Sequence, residues 1–202
     1  MSGAKLHRWL GIILVLPLLA WALTGAVFIL KPGYEGAYDR PQLKTYPLPI
    51  ALTISPQADW LEARALRTVL GEHLLVKTAD GWQHLDMQGQ PNPVPNRAAL
   101  IRLVQDAVES NPQRYGEVGD VNFATAPVLA LTTSTGITLT LDWNSFQLSQ
   151  RGADTGVINL LYKIHYLQWF GVKTLNIVWA LVTLTLLLLA TWLGVQLFTQ
   201  RR

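Results

Sequence analysis

Two apolar stretches decide the fold: WLGIILVLPLLAWALTGAVFIL at residues 9–30 and TLNIVWALVTLTLLLLATWLGVQLFTQ at residues 174–200. Neither stretch contains an ionisable side chain. At a rise of about 1.5 Å per residue, a helix made from either one is long enough to cross a hydrocarbon core of about 30 Å. Because lipid offers a peptide group no hydrogen-bond partner, both stretches are predicted to be membrane-spanning helices.

The first stretch also resembles a secretory signal peptide in having basic residues before an apolar run. It is longer than the apolar part of a signal peptide, and the small residues at 24–26 are followed by four more apolar residues. We therefore predict a membrane helix that is retained rather than cleaved.

The charges divide the chain at the same places. All 13 acidic residues lie between Glu35 and Asp154. The surplus of basic residues stands at the chain ends: Lys5, Arg8, Arg201 and Arg202. The net charge of +3 thus reflects membrane-flanking residues and does not indicate a nucleic-acid-binding surface. Cytoplasmic loops are enriched in Lys and Arg, so both ends are predicted to be cytoplasmic and the central part to lie outside.

The chain has no cysteine. Disulfides, thiolate zinc sites, iron–sulfur clusters and thioether-linked haem are therefore excluded. An exported domain without disulfides is ordinary in a bacterial periplasm, which favours the bacterial inner membrane as the location. Any metal chemistry must rest on His, Met, Tyr or carboxylate ligands.

These patterns divide the chain into six predicted segments. They are a cytoplasmic tail (1–8), a first transmembrane helix (9–30), a periplasmic domain (31–154), an interfacial amphipathic segment (155–171), a second transmembrane helix (172–198) and a cytoplasmic tail (199–202). Within the domain, Ser55 followed by Pro56 is typical of a helix start, which predicts a helix from Ser55 to about Leu70. A second helix is predicted from Asn96 to about Ser110.

Alternating and β-branched residues predict the strands of the domain, and Asp80–Gly81 is a typical hairpin turn. The predicted strands are 73–78, 82–87, 118–125, 128–133, 137–142 and 146–149. Each group of strands follows one predicted helix. The fold class is therefore membrane α plus α+β: two transmembrane helices flank an extracytoplasmic domain made of two units, each a helix with an antiparallel sheet.

Several of these segments resemble a known family. LHRWLG at residues 6–11 and IHY at 164–166, followed by WFG at 169–171, resemble the helix motifs of the PepSY-associated transmembrane family. The two helix-plus-sheet units, with turns at 86–89 and 142–145, resemble PepSY modules. The resemblance covers nearly the whole chain, although the larger members of the family carry four or more spans.

The resemblance implies membrane-bound redox work. Larger members are associated with iron uptake and the reduction of ferric siderophores, and their membrane histidines bind b-type haem. PepSY modules also occur in protease-inhibitory propeptides.

His7 and His165 are the candidate cofactor-binding residues, as ligands of haem iron, and no catalytic residue is predicted. Each precedes one of the spans, so the two lie near opposite membrane surfaces. Neutral imidazole is a good axial ligand, and a low-spin electron-transfer haem takes two. A homodimer would supply two histidines at each level. The alternative is that both histidines are interfacial anchors.

The other two histidines, His73 and His84, stand in the first predicted hairpin. They could approach each other across its strands, but a metal site would need a third ligand that the sequence does not supply. We interpret them as solvated strand residues.

The function predicted is b-type haem-binding electron transfer to a periplasmic acceptor, either a ferric chelate such as a siderophore or a flavoprotein. Besides the lipid bilayer, the expected partners are a second copy of the chain or a larger membrane complex. Two alternatives stay open. The chain could be a non-catalytic accessory or assembly subunit of a respiratory or iron-uptake complex, or a membrane-tethered module that binds a protease.

Overall fold

The computed structural model describes residues 2–48 and 54–200. The helices are α1 (Gly3–Leu30), α2 (Tyr34–Ala37), α3 (Arg97–Val108), α4 (Pro112–Tyr115), α5 (Ala153–His165) and α6 (Lys173–Thr199). The strands are β1 (Glu62–Thr68), β2 (Gly71–Thr78), β3 (Gly81–Leu85), β4 (Val118–Asn122), β5 (Val128–Thr133), β6 (Thr138–Asp142) and β7 (Gln147–Arg151). The chain forms two compact units, a central domain (Glu35–Thr155) and a helical unit made of the residues on either side of it.

The helical unit contains two helices that are long and apolar enough to cross a membrane, α1 and α6. They coincide with the two predicted spans, although α1 begins at Gly3, before the apolar stretch, so that His7 lies within its second turn. The first turns of α1 pack on the last turns of α6 through Leu10, Leu14, Ala190 and Leu193. Most other side chains of the two helices are exposed and apolar.

The predicted interfacial segment is a separate helix rather than an extension of α6. α5 ends at His165, and the chain turns through residues 166–172 before α6 begins. Leu167 makes the turn with a left-handed φ of 54° and is buried. Gly171 lies in the same connection.

The central domain contains two antiparallel sheets, with strand orders β1-β2-β3 and β4-β5-β6-β7. We call them the first sheet and the second sheet. α3 lies against the second sheet, and its buried residues share one core with β4, β5 and β6. Leu75 of β2 belongs to the same core, so the first sheet closes over it as well. The other face of β2 forms a smaller cluster in which Leu74 and Val76 are buried.

The second predicted helix of the domain is confirmed as α3. The side chain of Asn96 accepts a hydrogen bond from the backbone N–H of Ala99 and caps the helix. The residues at helical spacing on its inner side are fully buried: Leu100, Leu103, Val104 and Val108.

The first predicted helix, from Ser55 to about Leu70, is wrong where the structure describes it. Residues 62–68 form β1, which pairs with β2 from Glu62↔Lys77 to Thr68↔Gly71. Glu, Ala, Leu and Arg favour a helix in isolation, but pairing along seven residues outweighs that local preference. The prediction of two helix-plus-sheet units fails for the same reason, because within residues 2–48 and 54–200 only the second sheet has its own helix packed on it.

The two ends of the central domain lie side by side. Arg114 donates a hydrogen bond of 2.9 Å to Asp154 and another to Gln150. Gln150 and Thr155 both donate to the carbonyl of Ala37. The hydrogen bond from Arg114 lowers the pKa of Asp154, so this ion pair stabilises the domain at neutral pH and is lost as the pH falls below the usual carboxyl range.

The shared core gives a direct test of the fold. We expect Leu139→Ala to lower the free energy of unfolding by about 2–5 kcal/mol, because Leu139 is fully buried in β6 and its removal leaves a cavity. Leu61→Ala is the matched control, since Leu61 is 69% exposed, and should change stability by no more than about 0.5 kcal/mol. Denaturant unfolding of the detergent-solubilised chain measures both, and equal effects would contradict the fold.

Candidate functional site

The structure brings the four histidines of the chain into two settings. His7 and His165 lie in the helical unit, each against a neighbouring helix. His73 and His84 lie together inside the central domain. The two pairs therefore have different chemistry, and only the first pair belongs to the predicted site.

His7 is held by the far end of α6. Its Nδ1 lies 3.0 Å from the carbonyl oxygen of Ala190. The ring also lies over Gly194, where an added Cβ would stand 3.2 Å from the imidazole Cε1. A larger residue at position 194 would therefore press against the ring, and glycine lets the imidazole lie close to the α6 backbone.

The hydrogen bond to Ala190 determines which ring nitrogen of His7 carries the proton. A carbonyl oxygen only accepts, so Nδ1 must carry the proton and donate it to Ala190. Nε2 then holds the lone pair of the neutral ring, and it has no hydrogen-bond partner among the described residues. An Nδ1–H to carbonyl bond of this kind is the usual way that proteins orient an imidazole whose Nε2 binds a metal.

His165, the last residue of α5, is held by α1 in a similar way. Its Nδ1 lies 2.8 Å from the hydroxyl of Thr24. That hydroxyl donates its one hydrogen to the carbonyl of Ala20 in the preceding turn, so it accepts from His165. The indole N–H of Trp21 donates to the carbonyl oxygen of His165 at 2.7 Å. Nδ1 of His165 is thus the donor and Nε2 again holds the lone pair.

Aromatic rings surround His165. The ring of Phe28 meets it edge-on with centroids 5.0 Å apart, and Tyr166 does so at 5.5 Å. Tyr162 stacks on Phe28 at 4.6 Å. This wall of aromatic rings suits a flat aromatic ligand.

The two imidazoles stand at opposite ends of α1. Thr24, which holds His165, lies 17 residues after His7, a rise of about 25 Å along the helix. They cannot bind one metal ion together. One imidazole therefore lies near each end of α1, as the sequence predicted.

Trp21 and Trp179 differ in their hydrogen bonds. The indole N–H of Trp21 donates to the carbonyl oxygen of His165, whereas the buried N–H of Trp179 has no hydrogen-bond partner among the described residues and its ring contacts Trp169. On α6, Thr183 and Ala190 are buried, and Ala190 packs with Leu10 and Leu14 of α1.

The interpretation of His73 and His84 as solvated residues is wrong. Each side chain is only 3% exposed, and Nδ1 of His73 lies 3.0 Å from Nε2 of His84. Their approach across the hairpin is confirmed. Among the described residues no group of three or more His, Asp or Glu side chains could hold a metal ion.

The central domain also has an open groove of about 840 Å³. It is lined by residues 37–43 and by parts of β1, β6 and β7, with Asp39, Arg40, Arg64 and Asp142 at its walls. The groove mixes both signs of charge and selects no one class of ligand by charge alone.

The tautomers can be measured directly. In the chain labelled with ¹⁵N-histidine, we expect His7 and His165 to give signals of the Nδ1–H tautomer at neutral pH. Thr24→Val removes the acceptor of His165 and should shift that residue toward the Nε2–H form while His7 is unchanged. Thr185→Val is the matched control, because the Thr185 hydroxyl bonds only its own helix at Leu181. An unchanged His165 signal in Thr24→Val would contradict the assignment.

Comparison with known proteins gave no relative from which a function could be transferred. No protein-family model, no curated protein and no solved structure matches the chain.

Proposed function

We propose that the chain is a PepSY-type membrane protein of the bacterial inner membrane that carries electrons through b-type haem bound by His7 and His165. Its acceptor would be a periplasmic ferric chelate or flavoprotein. The observation that carries the proposal is the state of the two imidazoles. Both donate from Nδ1 to a neighbouring helix and keep the Nε2 lone pair without a partner among the described residues.

His7 and His165 have the properties that an axial ligand of haem iron needs. An axial imidazole must present Nε2 and must resist rotation. The carbonyl of Ala190 meets these needs for His7, and the hydroxyl of Thr24 meets them for His165. When bound, b-type haem supplies reversible one-electron exchange at its iron.

The arrangement of one imidazole at each level favours a dimer. A bis-histidine haem takes two axial imidazoles, and one chain has one at each end of α1. A second copy would bring His7 beside its mate near the cytoplasmic surface and His165 beside its mate near the periplasmic surface. Two haem levels about 25 Å apart along the helix would then carry an electron across the bilayer.

The membrane topology follows from the charges. The two apolar helices would cross the bilayer, Lys5 and Arg8 would lie in the cytoplasm, and the acidic residues of the central domain would lie in the periplasm. Electrons would thus leave on the side where the domain meets its acceptor.

A second candidate function is an accessory subunit without a cofactor. Its support is that the hydrogen bonds of His7 and His165 also join α1 to α6 and α1 to α5. Polar side chains often hold membrane helices together in this way. The two candidate functions differ in whether Nε2 of His7 and Nε2 of His165 bind haem iron.

Substitution of His7 and His165 distinguishes the two candidate functions. From cells supplied with haem, we expect the detergent-purified chain to give a b-type reduced-minus-oxidised spectrum with about one haem per chain. His7→Ala and His165→Ala should each lose about half of the haem, because each removes one level, and the double variant should lose all of it. The measurement is the haem-to-protein ratio together with the spectrum.

Thr185→Val is the control, since Thr185 is exposed on α6 and bonds only within its helix. It should keep the full haem content. A flat spectrum from the unsubstituted chain, or full haem in the folded double variant, would reject electron transfer and favour the accessory subunit. Co-purification of a foreign membrane protein in that case would identify the larger complex.

A further inference from the structure

We propose that His73 and His84 form an acid-sensitive latch, which holds the first sheet of the central domain against the turn at residues 143–146 of the second sheet. The inference concerns the central domain only and does not depend on haem. It begins from the burial of two adjacent imidazoles, which no part of the proposed electron transfer uses.

The hydrogen bonds around the pair allow one consistent arrangement of protons. His84 must donate from Nδ1, because its partner at 3.0 Å is the carbonyl oxygen of Trp143. Nε2 of His84 is then an acceptor, and it receives bonds from Nδ1 of His73 and from the amide of Asn92. Nε2 of His73 is therefore also an acceptor, and the hydroxyl of Thr68 donates to it at 2.8 Å.

These hydrogen bonds join parts of the domain that are far apart in sequence. Thr68 belongs to β1, His73 to β2 and His84 to β3, whereas Trp143 opens the turn between β6 and β7. The indole of Trp143 also donates to the carbonyl of Asn92 at 2.8 Å. The pair is thus the polar link between the two sheets.

An added proton could bind only at Nε2 of His73 or Nε2 of His84, and each of these nitrogens already accepts a hydrogen bond. At Nε2 of His84 the proton faces the N–H groups of His73 and Asn92, and this breaks the link. At Nε2 of His73 the hydroxyl of Thr68 can rotate and accept, so the cost there is the buried charge. A proton at either position would bury a positive charge against the rings of Trp143 and Phe146, which contact both histidines.

No carboxylate compensates for that charge. The turns packed against the pair contain Asp86 and Asp142, but Asp86 accepts from the amides of Gln88 and Gln90 and Asp142 from Asn144 and Ser145. On the same face of the first sheet, Arg64 and Lys77 are positive, and Arg64 lies over the ring of Trp82. Glu62, the remaining charge of that face, pairs with Arg64.

Burial lowers the pKa of both histidines from 6.5 to about 4. For His84, the charge of His73 contributes to this lowering, and the hydrogen bond to the carbonyl of Trp143 opposes it. In the open form of the latch both imidazoles are exposed to water, so this form binds up to two more protons than the closed form between pH 6.5 and about 4. The stability of the closed form therefore falls as the pH falls through that window. The ion pair of Asp154 responds only below the usual carboxyl value of 3.8, so it is separable from the latch.

Hydrogen exchange of the full chain in detergent tests the latch. After correction for the intrinsic pH dependence of exchange, we expect protection to fall together in the peptides that cover residues 71–87 and 138–151. The opening equilibrium constant should rise by up to about a hundredfold per pH unit below 6.5, as expected for two protons. In His73→Gln/His84→Gln, where neither residue titrates, the rise should disappear.

His7→Gln/His165→Gln is the matched control, because it leaves His73 and His84 as the only histidines of the chain and should keep the full pH dependence. No pH dependence in the unsubstituted chain, or the same dependence in the folded His73→Gln/His84→Gln chain, would overturn the proposal. If that variant does not fold, histidine NMR of the control chain decides. Both imidazoles should stay neutral well below pH 6.5, and titration of either one near 6.5 in a still protected domain would overturn the latch.

Discussion

The helical unit depends on one constraint, which is that a polar group packed against an apolar helix must find its hydrogen-bond partner inside the protein. His7 meets it at the carbonyl of Ala190, and His165 meets it at the hydroxyl of Thr24. Each bond joins two helices and also fixes which imidazole nitrogen keeps its lone pair. The same contacts that hold α1 against α6 and α5 therefore prepare both rings for a ligand.

The central domain meets the same constraint with a different result. His73 and His84 are nearly fully buried, and every ring nitrogen is engaged in a chain that runs from Thr68 to the carbonyl of Trp143. No lone pair is left for a metal. A saturated network of this kind stabilises a unique packing of the two sheets, but only while both rings are neutral. Among the described residues, the histidines of the helical unit thus keep one ring nitrogen without a hydrogen bond, whereas those of the central domain have every ring nitrogen bonded.

Features set by neighbouring residues were predictable from the sequence. The two apolar helices follow from uninterrupted hydropathy, and α3 follows from the cap at Asn96 and its apolar stripe. Features set by distant residues were not. Residues 62–68 have helical propensity but become β1 because β2 pairs with them along their whole length. The burial of His84 depends on Trp143, 59 residues later, and the role of Thr24 depends on His165; no local pattern reports either contact.

We propose that α1 and α6 span the bilayer and place the ends of the chain and the central domain on opposite sides. The absence of cysteine allows a direct measurement with single-cysteine variants. Ser2→Cys and Ala124→Cys, both at exposed positions, are exposed to a membrane-impermeant maleimide in intact spheroplasts and after lysis. We expect Ala124→Cys to be labelled in intact spheroplasts and Ser2→Cys to be labelled only after lysis. Labelling of both, or of neither, before lysis would contradict it.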